Sequence, residues 1–197
     1  GAATTVCGVW RGPALPCPWL RVPLRETPYF QGVAGAELLM DRAGIGPGMR
    51  VLDAGCGPGR LTLPIARRVG PAGRVVALDC QPRMLARLKR RIVEHGVDNV
   101  EVVLGGLGDG RLPAAIFDVA VLVTVLGEIP DKAGALAEIG GALRAGGVLS
   151  VTEVLPDPHY QTLAQVRALA AEAGLAEQRL FEGRAGYTVN LVRDRDA

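Results

Sequence analysis

The stretch VLDAGCGPGR, residues 51–60, combines an acid with a concentration of glycines directly after a short apolar run. Asp53 ends that run, and Gly55, Gly57 and Gly59 follow at alternate positions. Glycine has no Cβ, so it permits positive φ and lets a ligand approach the backbone closely. A carboxylate at such a turn repels a pyrophosphate and suits a cationic amine. The stretch therefore predicts a binding turn behind a strand.

A second acid stands at the end of the next apolar run, in VVALDCQPRML, residues 75–85. A carboxylate at the position of Asp79 can accept hydrogen bonds from both hydroxyls of a ribose. The dinucleotide fingerprint G-x-G-x-x-G would need a third glycine where this chain has Arg60. An amine near the turn, a ribose at the second acid and no phosphate together describe S-adenosyl-L-methionine.

These acids belong to a chain in which predicted strands and helices alternate. Such alternation predicts a parallel sheet with helices on both faces, and a closing pair of strands must add one antiparallel strand. The predicted strands cover residues 50–53, 74–79, 100–104, 117–123, 147–153, 175–183 and 186–193. The predicted helices cover residues 36–43, 61–69, 82–95, 132–144 and 162–173. Basic residues of the third helix are read as a solvated face: Arg83, Arg87, Lys89, Arg90 and Arg91.

The motifs resemble those of class I S-adenosylmethionine-dependent methyltransferases. VLDAGCGPG is similar to their first motif, VVALDCQPRML to their second, FDVAVLVTVLGEIPD to the fourth-strand motif and LRAGGVLSVTE to the fifth. The resemblance covers roughly residues 35–197 and is greatest for the small-molecule branch, which includes quinone C-methyltransferases and arsenite methyltransferase-like proteins. It implies an α/β, doubly wound, Rossmann-like seven-stranded sheet of order 3-2-1-4-5-7-6, with strand 7 antiparallel.

The resemblance implies S-adenosyl-L-methionine as the cofactor, with Met84 flanking the adenine and Thr124 contacting the methionine end. The family commonly has an acid for the adenine amino group where this chain has Gly106. Either the backbone N–H of Leu107 alone reads the adenine, which we favour, or Asp109 replaces the missing acid. The expected cofactor-binding residues are Asp53, Ala54, Gly55, Cys56, Gly57, Gly59, Asp79, Cys80, Met84, Gly106, Leu107 and Thr124.

Methyl transfer needs alignment more than acid–base chemistry, because the sulfonium already activates the methyl group. A base is required only when the nucleophile arrives protonated. The catalytic candidates beyond strands four and five are Glu128, His159 and Tyr160. A surface carboxylate is the structural alternative for Glu128, and a capping or surface role for His159. Asp118, at the opposite end of strand four, is predicted to be structural.

Composition limits the other classes of function. The chain has 197 residues and a formal net charge of +2, which is enough for one domain with a core and too little charge for a typical nucleic-acid binder. The four cysteines follow no metal-ligand spacing, so no metal is expected. None follows Cys80, which disfavours arsenic chemistry. Neither a signal pattern nor a membrane span is recognisable, so we expect a cytoplasmic protein.

Two segments are predicted. Residues 1–34 are predicted to form an irregular arm, whose tryptophan and phenylalanine content is suited to covering the substrate pocket. Residues 35–197 are predicted to form the S-adenosylmethionine-binding methyltransferase domain. The predicted function is in-line methyl transfer to a small, apolar or aromatic molecule. The alternatives are a protein or RNA methyltransferase, and a cofactor-binding protein of the same fold without turnover. A nicotinamide-dependent oxidoreductase is disfavoured by Asp53 and Arg60. The sequence predicts no oligomeric state.

Overall fold

The computed structural model describes residues 34–193, so the predicted arm lies outside the described residues except for Ala34. Strands and helices alternate along this part of the chain, as predicted. In chain order they are α1 (Ala36–Ala43), β1 (Arg50–Ala54), α2 (Thr62–Val69), β2 (Arg74–Asp79), α3 (Pro82–Glu94), β3 (Val100–Leu104), β4 (Phe117–Val123), a 3-10 turn (Leu126–Glu128), α4 (Lys132–Ala142), β5 (Leu143–Val154), α5 (Leu163–Glu172), β6 (Leu175–Gly183) and β7 (Gly186–Arg193).

The strands form a seven-stranded sheet in the order β3-β2-β1-β4-β5-β7-β6. Strands β1 to β5 pair in parallel, and β7 is antiparallel to both of its neighbours. The predicted fold class is therefore confirmed. The strand order reverses between β1 and β4, and ligands of such sheets bind beyond the carboxyl ends of the strands at this point.

Helices cover both faces of the sheet because successive strand residues point to opposite sides. On β1, Val51 packs in one apolar cluster with Ile65 of α2, and α1 belongs to the same cluster. Its neighbour Leu52 packs in the opposite cluster with Leu136 of α4, which also includes residues of α5. The third helix covers the first face beside β2. Burial on both faces explains why the central strands are apolar at nearly every position.

The structure corrects the boundary between α4 and β5. The sequence predicted a helix to residue 144 and a strand from residue 147, but the helix ends at Ala142 and the strand begins at Leu143. Leu143 pairs with Phe117, while Val148 pairs with Val119, so the residues between them bulge out of the ladder. Pairing with β4 overrides the local helical preference here.

Asp118 has the structural role predicted for it. Its Oδ2 accepts a hydrogen bond from the backbone N–H of Arg50 at 2.6 Å, and its Oδ1 lies 2.7 Å from Nε of Arg144. One carboxylate therefore ties the start of β1 to the start of β4 and to the bulge of β5.

We expect Gly186→Ala to destabilise the fold. Gly186 has φ of 146°, and a Cβ there would overlap the carbonyl oxygen of Glu153 on β5. Backbone strain and overpacking together should lower the free energy of unfolding by about 2–4 kcal/mol in a urea titration. The matched control is Gly183→Ala in the same hairpin, where a Cβ would meet only the Gly186 oxygen at 3.6 Å. Equal stability of the two variants would contradict this prediction.

Candidate functional site

The turn after β1 needs its glycines for two different reasons. Gly55, Gly57 and Gly59 all have positive φ, at 75°, 54° and 88°. A Cβ on Gly55 would lie 2.6 Å from Val125, and one on Gly59 would overlap Leu88 of α3. A Cβ on Gly57 would meet nothing within 4 Å. Gly55 and Gly59 therefore allow the turn to pack closely against neighbouring side chains, while Gly57 leaves open space beside the backbone.

Every backbone N–H between residues 55 and 59 already has an acceptor within the protein. Pro58 has no N–H, and the other four donors are held at 2.8–3.0 Å: Gly55 and Cys56 donate to the Leu78 carbonyl, Gly59 to the Cys56 carbonyl and Gly57 to Oδ2 of Asp79. A phosphate at such a turn is normally bound by free backbone N–H groups. The geometry therefore argues against a pyrophosphate, as the sequence predicted.

Asp79 ends β2 and connects two loops. Its Oδ2 accepts from Gly57 N at 2.9 Å and its Oδ1 from Gln81 N at 2.7 Å. Burial raises the pKa of this carboxyl, and the two backbone hydrogen bonds oppose that rise. A carboxylate has about four lone-pair sites, so Asp79 can accept hydrogen bonds from further hydroxyl groups.

Asp53 is more deeply buried, with 4% of its surface exposed. Burial raises the pKa of this carboxyl to about 6, although the Thr62 hydroxyl and the charge of Arg60 oppose the rise. The Thr62 Oγ1 donates to Oδ2 of Asp53 at 2.6 Å. A cation placed beside Asp53 would favour its ionised form.

The cysteines of this region do not form a disulfide. Burial, followed by the charges of Asp53 and Asp79, raises the pKa of the Cys56 thiol. A thiol in such surroundings stays protonated and is a poor nucleophile or metal ligand. Cys80 lies partly exposed directly after Asp79. Cys56 therefore contributes packing and a backbone N–H to the turn.

The loop after β3 places the Asp109 carboxylate against Gly106. Oδ2 of Asp109 accepts from Gly106 N at 2.8 Å. The Asp109 carboxylate lies 3.1–3.3 Å from the position that a Cβ on Gly106 would occupy. It therefore fills the space of the absent side chain. Glu138 of α4 holds the rest of this loop, because its carboxylate accepts from Gly108 N and from Leu112 N.

Thr124 follows β4 in a strained conformation. Its φ is 52°, which is rare for a β-branched residue, and its side chain is buried. The hydroxyl donates to the Val123 carbonyl at 2.7 Å, and the backbone N–H donates to Thr152 of β5 at 2.8 Å. Such strain costs about 1–3 kcal/mol and clusters at functional sites.

The structure brings the segments of Glu128 and His159 together. Glu128 ends the 3-10 turn, and its neighbour Gly127 packs so closely on the His159 carbonyl that a Cβ there would overlap it. Tyr160 lies edge-on to Tyr187, with ring centroids 6.0 Å apart. Burial, followed by the charges of Glu153 and Glu182, raises the pKa of the Tyr160 phenol, so it stays protonated at neutral pH.

The remaining predicted cofactor residues surround the same edge of the sheet. Met84 is buried in the first turn of α3, and Ala54 is the buried last residue of β1. Leu107, in the loop after β3, packs against the apolar cluster that contains Leu136 of α4. The cofactor-binding candidates therefore follow β1, β2, β3 and β4 at their carboxyl ends.

Three positioning side chains were not selected from the sequence. Thr62 binds Asp53, Glu138 holds the loop after β3, and Arg91 donates from Nη1 to the Pro58 carbonyl at 3.0 Å. The other basic residues of the predicted solvated face, Arg83, Arg87, Lys89 and Arg90, are exposed, whereas Arg91 is half-buried and contacts the glycine turn. Of the three positioning side chains, only Thr62 could have been found from the sequence, because a hydroxyl near the start of a helix commonly binds a neighbouring polar group.

Residues 34–193 contain no group of three or more His, Cys, Asp or Glu side chains that could hold a metal ion. In the same part of the chain no helix has the length and apolar character needed to cross a bilayer.

The family described as "Methyltransferase domain" matches residues 45–183. The chain is 35% identical over 136 residues to nocamycin O-methyltransferase of Saccharothrix syringae, covering 69% of this chain and 48% of that protein. It is 36% identical over 115 residues to the ubiquinone/menaquinone biosynthesis C-methyltransferase UbiE of Hahella chejuensis, covering 58% and 46%. It thus spans about half the length of these curated relatives.

Among solved structures, a SAM dependent methyltransferase from Aquifex aeolicus superposes with a TM-score of 0.82 at 21% identity. The match covers 90% of this chain and 99% of that one. At this level of identity the likeness shows a shared fold.

Asp53→Asn should change how stability depends on pH. A carboxyl whose folded pKa is raised to about 6 is stabilised in its protonated form, so its contribution is complete below about pH 4 and is lost as pH rises to 6. Relative to Asp53→Asn, the wild type should lose about 2 kcal/mol of unfolding free energy between pH 4 and 7. Urea titrations at both pH values measure the difference. A constant difference would show that Asp53 titrates normally.

Proposed function

Because the chain belongs to the methyltransferase domain family, we propose that it transfers the methyl group of S-adenosylmethionine to a small, apolar or aromatic molecule. Two relatives are named for nocamycin and for ubiquinone/menaquinone biosynthesis, which supports a small-molecule acceptor. The observation that carries the proposal is a pair of buried carboxylates, Asp53 and Asp79, at a turn whose N–H groups are already used. Such a turn favours a cationic nucleoside without phosphates.

Each part of the cofactor then has a residue to hold it. Asp53 lies at the end of β1, where its carboxylate would pair with the cationic methionine end. Asp79 would accept from the ribose hydroxyls, and Thr124 would border the methionine end from β4. Met84, Gly106 and Leu107 would surround the adenine. The turn residues Ala54, Gly55, Cys56, Gly57 and Gly59, together with Cys80, would form the floor.

When bound, S-adenosylmethionine supplies a sulfonium-activated methyl group that passes in line to the acceptor and leaves S-adenosylhomocysteine. The protein contributes alignment and the exclusion of water. An acceptor that arrives protonated must lose a proton, for which Glu128 and His159 are the candidate bases on adjoining segments. Tyr160, as a protonated phenol, would orient the acceptor by donating a hydrogen bond.

The acceptor and the location of the protein stay predictions. A weak net charge of +2 supports a small molecule over a nucleic acid as the acceptor. The cytoplasmic location is proposed on the cysteine usage.

Calorimetry should show binding of S-adenosylhomocysteine and none of NAD. Asp79→Ala should lower that affinity at least tenfold, because the ribose loses a charged acceptor. The control is Asp98→Ala. Asp98 is an exposed acid just before β3, so it lies at the end of the strands opposite to the proposed site. Transfer of labelled methyl to a panel of small aromatic and aliphatic acceptors tests turnover. Binding of NAD instead, or full affinity in Asp79→Ala, would refute the proposed site, and binding without transfer would favour a cofactor-binding protein.

The loop after β3 offers a separate test of adenine recognition. If Asp109 replaces the missing acid, the wild type should bind S-adenosylhomocysteine about tenfold more tightly than S-inosylhomocysteine, which carries an oxygen in place of the amino group. Asp109→Ala should remove that preference while retaining binding of both ligands. An unchanged preference would instead support recognition of the adenine by the backbone N–H of Leu107, which is the alternative favoured from the sequence.

A further inference from the structure

A cavity of about 240 Å³ lies between α1, the end of β5 and the β6–β7 hairpin. Its walls include Arg42 of α1, Thr152 near the end of β5 and Arg184 in the hairpin turn. None of the proposed cofactor residues lines it. The cavity nevertheless opens at the carboxyl end of β5, which is the same edge of the sheet as the glycine turn.

Arg42 is a partly buried cation on the α1 wall of this cavity. Its Nη1 donates to Oγ1 of Thr188 at 2.9 Å, and its guanidinium lies 5.3 Å from the centroid of the Phe181 ring. Burial lowers the pKa of this guanidinium. Among residues 34–193, no carboxylate forms an ion pair with it. A guanidinium has five N–H donors, so Arg42 retains donors for an anion in the cavity.

Arg184 supplies a second positive charge to the same cavity. It is exposed in the hairpin turn, so its position imposes little on the core. Glu153 also lines the cavity, but its carboxylate accepts from Gln161 N at 3.4 Å. Glu153 pairs with Tyr187, whose ring packs on the α5 side of the sheet, whereas Val154 packs on the α1 side. Strand alternation therefore places the Glu153 side chain on the face of the sheet opposite to α1 and Arg42.

We propose that this cavity binds the carboxylate of the methyl acceptor, which makes the substrate an anionic aromatic or apolar molecule. The inference rests on the proposed function. Strands β5 and β7, whose ends line the cavity, lie two and three positions from β1 in the sheet, so the cavity and the glycine turn are separated by about 10–15 Å across the strands. An aromatic or apolar acid of that length can reach from one to the other. Arginine suits the role because its fork of donors matches a carboxylate.

The test uses the full chain labelled with ¹⁵N and titrated with benzoate, with its neutral analogue benzamide and with inorganic phosphate. Benzoate should shift the backbone amides of residues 152–154 and 183–187, and benzamide should not. Arg42→Gln and Arg184→Ala should each weaken benzoate binding about tenfold. Arg184→Ala alters only an exposed turn residue, so it keeps the test valid if Arg42→Gln fails to fold.

The matched control is Arg179→Ala, because the Arg179 guanidinium lies 4.6 Å from the centroid of the same Phe181 ring but does not line the cavity. It should leave benzoate affinity within about twofold. The inference is overturned if benzamide binds equally, if the cavity amides do not shift, or if the arginine variants bind normally. Binding of phosphate without benzoate would also overturn it, by assigning the cavity to a phosphate.

Cofactor binding separates this inference from the proposed function. All variants should bind S-adenosylhomocysteine as the wild type does. With acceptors, the arginine variants should raise KM for acids and leave that for their methyl esters unchanged. If cofactor binds and methyl transfer proceeds while benzoate fails to bind, the inference falls alone. If benzoate binds and S-adenosylhomocysteine does not, the proposed function falls and the cavity remains an anion site.

Discussion

The hydrogen bond from Gly57 N to the Asp79 carboxylate joins the ends of β1 and β2, and the rest of the site depends on it. The other backbone N–H groups of residues 55–59 donate to backbone carbonyls, so this bond supplies an acceptor for the last N–H of the turn. It also holds a buried carboxylate at the point where the strand order reverses. Because the backbone N–H groups of this turn already have acceptors, the turn offers a phosphate group no donor. The carboxylate beside it can still accept hydrogen bonds from hydroxyl groups and bind a cation.

Burying two acids at the turn after β1 is electrostatically unfavourable. Burial, with a smaller contribution from the charge of Asp79, raises the pKa of Asp53, while Thr62 and Arg60 oppose the rise. A cationic ligand would relieve this cost, because it favours the ionised forms of both acids. Stability and binding are therefore coupled through Asp53, and the strain at Thr124 adds a second local cost at the same edge of the sheet.

The antiparallel β7 extends this edge beyond the parallel strands. It places the hairpin turn beside β5, where α1 brings Arg42 to Thr188. The same strand carries Tyr187, whose hydroxyl donates to the Gln161 carbonyl and so holds the loop of His159 and Tyr160. One end of the sheet thus combines the glycine turn, the segments of Glu128 and His159, and the cavity lined by Arg42 and Arg184. We propose on this basis that a small anionic acceptor binds there.

The strand order was implied by the resemblance to class I S-adenosylmethionine-dependent methyltransferases, while the sequence by itself determined nearly all element positions, both acids and the glycine turn. Those features follow from apolar periodicity and from residues whose conformational needs are local, such as Gly57 and Pro82. Tertiary structure alone decided which distant side chains support the site. Asp109 occupying the space beside Gly106, Arg91 reaching Pro58, Leu143 joining β5 and Arg42 meeting the hairpin all depend on contacts between separate elements. Spacing along the chain does not encode such contacts, because they arise only when packing places one element against another.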